Sequence, residues 1–250
     1  MKKLGKIYLV LVMLFLYVPI FVLIVFSFNE SKSRSVFSGF TLDWYRKLFQ
    51  NDIIISSLVN TLIIAVIASI VSTVLGTLAA IGINSMKKVP KAIVMNITNM
   101  PIINPEIVTG VSLMLLFVFF AARMNLEFGF VTLLIAHITF DVPYVILNVM
   151  PKFRQMDPHL YEAAQDLGCS PFKAFIKVVL PEIMPGVVSG FLMAFTYSLD
   201  DFVISYFTSG SSSQTLPVTI YSMTTPGIIS GSTTLINALK GLHPKSCAAS

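Results

Sequence analysis

Five stretches of this chain run for twenty residues or more without a Lys or Arg, and each is dominated by apolar side chains. They cover residues 7–28, 58–83, 92–120, 130–150 and 183–207. Each is long enough, as an α-helix, to cross a hydrocarbon core of about 30 Å. A membrane β-barrel would instead alternate apolar and polar residues in segments of about ten. Of the 250 residues, 55% are hydrophobic and 12% charged, about half the charged share of an ordinary soluble domain. A soluble fold of this size could not bury that much apolar surface. A soluble enzyme, a secreted disulfide scaffold and a disordered chain are therefore excluded. The reading is an all-α transmembrane protein with a single transmembrane domain over residues 1–250.

The first run follows Lys2, Lys3 and Lys6 and resembles a signal peptide in that respect. It is longer than an h-region, and no small-residue cleavage site follows, so it reads as an uncleaved helix. The third run is interrupted at Pro101 and Pro105. The N-terminus and segments 84–91 and 151–181 carry ten Lys and Arg between them. The opposite segments carry five: Lys32, Arg34, Arg46, Lys47 and Arg123. That asymmetry predicts a cytoplasmic N-terminus and a cytoplasmic 151–181 loop. The net charge of +5 is thus a topology signal, and nucleic acid is not implied. Beyond Phe207 the chain turns polar, and the atypical tail 224–250 offers at most a marginal sixth span. Cys169 and Cys247 lie far apart and read as free thiols.

The 151–181 loop parses by capping rules. Asp157 is an N-cap, Pro158 the first helical residue and Gly168 a left-handed stop. Leu160, Ala163, Ala164 and Leu167 share the i, i+3, i+4, i+7 face. Ser170 and Pro171 open a second short helix with a stripe of Phe172, Phe175, Ile176 and Val179, closed by Pro181. Such a helix–turn–helix either lies in the membrane interface or serves as a docking knob for a cytoplasmic protein, with Glu162 free to pair at the rim.

Glu162-Ala163-Ala164, Gly168 and Leu180-Pro181, with Val178, resemble the EAA loop of ABC-importer permeases in residue type and spacing. The blocks Phe195–Ser205 and Leu216–Met223, and more weakly Ala136–Phe140, are similar to the permeases of spermidine/putrescine importers. The resemblance covers residues 1–223. It implies a type I ABC-importer bundle in a bacterial cytoplasmic membrane, with no enzymatic activity of its own. It further implies Glu162, Ala163, Ala164, Leu167 and Gly168 as the contact with an ATPase. The implied partners are a second permease chain, two cytoplasmic ATPase subunits and an external substrate-binding protein. That family carries a further apolar helix where this chain has its tail, and the departure points to a truncated or frameshifted C-terminus.

The chain lacks the Gly-x4-Gly-Lys-Ser/Thr phosphate loop, so ATP hydrolysis is expected on a separate chain. The patterns of zinc proteases and of serine hydrolases are also missing. No cofactor or metal is expected, and His137 reads as a hydrogen-bonded structural residue. Four carboxylates, Glu106, Asp141, Asp200 and Asp201, fall inside the apolar runs, where neither Lys nor Arg occurs. Each charge near the bilayer centre costs about 2.5–3.5 kcal/mol on insertion scales. Protonation, a water-filled path or a cationic cargo could offset it.

A polyamine suits such a path, and an anion does not. Glu106 follows Pro105 and could instead only stabilise a helix start. Asp141 could simply bond His137 one turn earlier. Asp200 and Asp201, adjacent on a helix, point about 100° apart. Tyr144, Tyr197 and Tyr206 could contact ammonium groups or serve as interface tyrosines. Trp44 reads as an interface anchor, and Gly186, Gly190 and Ala194 as a packing stripe. The resulting expectation is polyamine import by alternating access. The same fold with another cargo (a metal ion, a sugar or an anion), a cation channel, a proton-coupled carrier and a nonfunctional product are the alternatives.

Overall fold

The computed structural model describes residues 2–31, 36–124, 128–157, 159–210 and 213–224. The expectations placed on Lys32, Arg34, Pro158, Cys247 and the tail after Thr224 lie outside these residues. Among the described residues there are helices and one isolated bridge, Asn29 to Phe40, and no strand. Among the described residues four helical segments are long and apolar enough to cross a membrane, and a bent pair makes a fifth if taken as one span.

The chain divides into two compact units at Ile55 and Ser56. In the first, α1 (Lys2–Ser27) leads into a turn closed on α2 (Asp43–Phe49). Asn29 is buried there and binds Val36 O and Ser38 N through its side chain. The Trp44 indole N–H donates to Asn29 O at 2.9 Å, with Lys47 Nζ over the ring at 5.0 Å. Trp44 therefore holds its own turn together.

The second unit contains α3 (Asp52–Asn84) from Ser56 onward, α4 (Lys88–Ile103), α5 (Glu106–Met124) and α6 (Phe130–Gln155). Next come α7 (His159–Asp166), α8 (Pro171–Ala174), a π-helical turn (Phe175–Val179) and α9 (Leu180–Asp200). The short α10 (Val203–Thr208) and α11 (Leu216–Thr224) complete it. The third apolar run is two helices bent by 106°. The break lies at Pro105 alone: Asn104 is extended, as a residue before proline prefers, while Pro101 stays inside α4.

Pro181 does not end a helix, contrary to the sequence reading. It lacks an N–H, so the ladder cannot continue in α register through it. The π turn absorbs the mismatch, with Leu180 N–H donating to Phe175 O, and α8 runs through to α9. The loop between long helices is correspondingly shorter than 151–181, because α6 continues to Gln155 and the next helix starts at Pro171.

The main core lies where α6 meets α9, with Val145, Val149 and Ile183 fully buried. Gly186 and Gly190 face α6: a Cβ at Gly186 would meet Asn148 O at 2.9 Å, and one at Gly190 would meet Val145 Cα at 3.2 Å. The small-residue stripe thus packs within the chain. Gly76 on α3 admits Val145 in the same way. Gly110 lets α10 approach α5, since a Cβ there would meet Phe207 Cδ2 at 2.9 Å.

Candidate functional site

Two places carry chemistry: the break between α9 and α10, and the short helix α7.

The fifth apolar run breaks at Asp201, which has extended ψ and ends α9. Its carboxylate accepts the N–H of Ile204 at 3.2 Å and of Ser205 at 2.7 Å, in the first turn of α10. The apolar residues Phe202–Phe207 concealed this stop; an Asp ahead of a short apolar run is a recognised helix-start signal and could have revealed it. Asp200 and Asp201 are therefore not neighbours on one helix. Asp200 is exposed, whereas the Asp201 side chain is buried.

His137 on α6 faces this break. Its Nδ1 lies 2.7 Å from Ser198 Oγ on α9, and its Nε2 lies 3.1 Å from Ser205 Oγ on α10 and 3.7 Å from Asp201 Oδ2. Of the two roles open to Asp141 from sequence, the bond to His137 is not made, because the imidazole is taken up by the two serines. Ser198 and Ser205 were not singled out from sequence, since serine in an apolar run carries no spacing signal for a distant histidine. Both Asp141 oxygens are buried without a hydrogen-bond partner. Phe140 and Tyr144, on the same helix as Asp141, and Tyr197 on α9 form an aromatic group, with Tyr144 and Tyr197 centroids 4.5 Å apart. Glu106 is exposed at the start of α5, and Asp141 and Tyr144 lie one turn apart on α6. Tyr206 stands apart from that group, against Phe202 and Tyr221. Among the described residues no group of three His, Cys, Asp or Glu could hold a metal ion.

Helix α7 starts where Asp157 Oδ1 accepts His159 N–H at 2.9 Å, and stops at Gly168 with φ +85°. Its inner face is the buried Ala164 and Tyr161, the latter packed against the α6–α9 core. The face drawn from sequence is split: Ala163 points out, and Leu167 is 86% exposed. The two alanines are identical in composition, and only the packing of α7 on its neighbours decides which turns inward. Glu162 is exposed beside His159 at 3.5 Å. The second stripe is split too, with Val179 buried and Phe172 exposed, because the π turn shifts the register between them.

Residues 72–239 match the family model described as a binding-protein-dependent transport system inner membrane component. The chain belongs to that family. The permease is 38% identical over 218 residues to the putrescine transport system permease protein PotI of Escherichia coli K12, covering 86% of this chain and 77% of the relative. It is 37% identical over 225 residues to the spermidine/putrescine permease protein PotC of Haemophilus influenzae, covering 90% and 84%. The E. coli K12 spermidine/putrescine permease PotC is 37% identical over 214 residues, covering 86% and 80%. Family and helices together make the chain a multi-pass membrane transport subunit rather than an enzyme.

Proposed function

We propose that this permease imports polyamines through a bacterial cytoplasmic membrane as part of an ATP-driven importer. Its partners are a second permease chain, two cytoplasmic ATPase subunits and an external binding protein, and its N-terminus is cytoplasmic. The observation that carries the reading is the 37–38% identity to putrescine and spermidine/putrescine permeases over most of the chain. The carboxylates of a path without internal cations agree with it: Glu106, Asp141, Asp200 and Asp201.

In this mechanism α7 is the coupling element. Glu162, Ala163 and Leu167 touch the ATPase, Ala164 roots the helix in the core, and Gly168 ends it. Inside the chain α7 packs on α8 and the π turn, which continue into α9. A displacement of α7 is thereby passed along α9 to the break at Asp201. ATP shifts the equilibrium between inward and outward access because it binds the two states of the ATPase dimer unequally.

The test is uptake of labelled putrescine and spermidine by cells without polyamine importers of their own, expressing this chain with its partners. Capture of the ATPase through this chain reports assembly. Uptake with the parent, and loss of ATPase capture with Ala163→Trp or Leu167→Asp, is the expected result. An assembled complex that moves no polyamine overturns the cargo assignment. ATPase capture unaffected by both α7 variants overturns the coupling role.

A further inference from the structure

Asp141 has an unusual position among the four carboxylates. It is fully buried, and neither oxygen has a partner. Asp201 spends its oxygens on two backbone N–H groups, while Glu106 and Asp200 are exposed. A carboxylate enclosed in this way costs several kcal/mol unless something pairs with it. A proton does not fully resolve the problem, since the neutral acid would still bury an O–H donor and a carbonyl acceptor without partners. Among the described residues, Lys and Arg occur only at the ends of the long helices of this unit, so no internal ammonium or guanidinium is at hand.

The surroundings favour a cation of a particular kind. Phe140 and Tyr144 flank Asp141 on α6, and Tyr197 reaches them from α9. The three rings lie 4.5–6.3 Å apart by centroids. Aromatic faces attract ammonium groups, most strongly where water is excluded. A carboxylate one helical turn from Tyr144, whose ring is continuous with Phe140 and Tyr197, is thus chemically matched to a primary ammonium, which brings three donors and a compact positive charge.

The geometry points to Asp141, with Phe140, Tyr144 and Tyr197, as an ammonium-binding subsite for the cargo, contributed by this chain itself. It deepens, and rests on, the polyamine reading. The subsite is shut in this structure, and the cargo gains it only when α9 moves against α6. Transport specificity then does not lie in the external binding protein alone.

The experiment is proteoliposome transport with the full complex, energised by ATP and supplied with putrescine-loaded or spermidine-loaded binding protein. It measures cargo moved per ATP hydrolysed. Asp141→Asn is expected to lower that ratio about tenfold, the loss of roughly one ion pair or cation–π contact. Asp141→Glu should recover much of it. Tyr197→Leu, which leaves the carboxylate in place, should lower the ratio as well, and Tyr197→Phe should not. It stands in for the charge variant should Asp141→Asn fail to assemble. If the parent moves polyamine and Asp141→Asn or Tyr197→Leu moves it with the same ratio, the subsite is overturned and the polyamine reading stands. If the parent moves none, both fall.

Discussion

His137 Nε2 and Asp201 Oδ2 lie 3.7 Å apart, and each is fastened separately to α10. The histidine reaches Ser205 by its side chain, and the aspartate holds Ser205 by its backbone N–H. The other ring nitrogen meets Ser198 on α9. One side chain of α6 therefore fixes both sides of the α9–α10 break. Its removal leaves two buried hydroxyls without that partner as well as a void. His137→Ala should destabilise the purified permease by about 2–4 kcal/mol. Thermal unfolding of the purified complex is the measurement, with Ser198→Ala expected to cost about 1 kcal/mol.

The two adjacent aspartates should separate by phenotype. Asp201→Ala removes the acceptor of two helix-start N–H groups and should cost about 1–2 kcal/mol. Asp200 is exposed, so Asp200→Ala should change stability by less than about 0.5 kcal/mol. If Asp200 lines the path, its variant lowers uptake in a complex that melts like the parent. Parallel melting and uptake measurements resolve this. Equal melting losses for the two variants would contradict the capping geometry.

Much of this arrangement could be read from sequence, for identifiable reasons. The apolar runs at 7–28, 58–83 and 130–150 each mark one long helix, because a bilayer demands continuous length. Pro105 marks a bend through the restriction it places on Asn104. The stop of α7 at Gly168 is local chemistry as well. What sequence concealed depends on tertiary contacts. His137 finds Ser198 and Ser205 sixty-one and sixty-eight residues away. Asp201 sits in an apolar run whose hydropathy looks unbroken. Ala163 and Ala164 differ only in which one the fold buries.

Glycines on the helices offer an internal comparison. Gly186→Ala puts a methyl group 2.9 Å from Asn148 O and 3.2 Å from Val149 Cα, both backbone atoms of α6. Backbone cannot step aside as a flexible side chain does, so the variant should cost about 1–3 kcal/mol. Gly82→Ala on α3 meets nothing within 4 Å and should be neutral or stabilising by up to about 1 kcal/mol. Melting temperatures should move in opposite directions or, at the least, only Gly186→Ala should fall.

Among the described residues two glycines have left-handed backbone, and they should not respond alike. Gly168 has φ +85° with open space around it, so Gly168→Ala carries the conformational cost alone, about 1–2 kcal/mol. Gly210 has φ +66°, and a Cβ there would run into Phe128 O and its carbonyl carbon. Gly210→Ala should therefore be the more damaging of the two in thermal unfolding. Gly168→Ala should show its main effect in ATPase capture, since it bends the end of α7.

The start of α11 depends on side chains of α3. Thr61 Oγ1 accepts the N–H of Leu216 at 2.7 Å, and Ser57 Oγ meets Thr219 Oγ1 at 2.7 Å, with Ser57, Thr61 and Thr219 all buried. Leu216 opens α11, so its N–H has no partner within the helix and relies on Thr61. Thr61→Val keeps the shape and removes the acceptor, which should cost about 1–3 kcal/mol by leaving that N–H unsatisfied. Ser57→Ala and Thr219→Val each orphan one hydroxyl, whereas the double variant orphans neither. The combined loss should fall short of the sum of the single losses by about 1 kcal/mol. Chemical or thermal unfolding of the four proteins of that cycle supplies the number. Strict additivity would mean that the two hydroxyls, close as they are, do not tie α11 to α3.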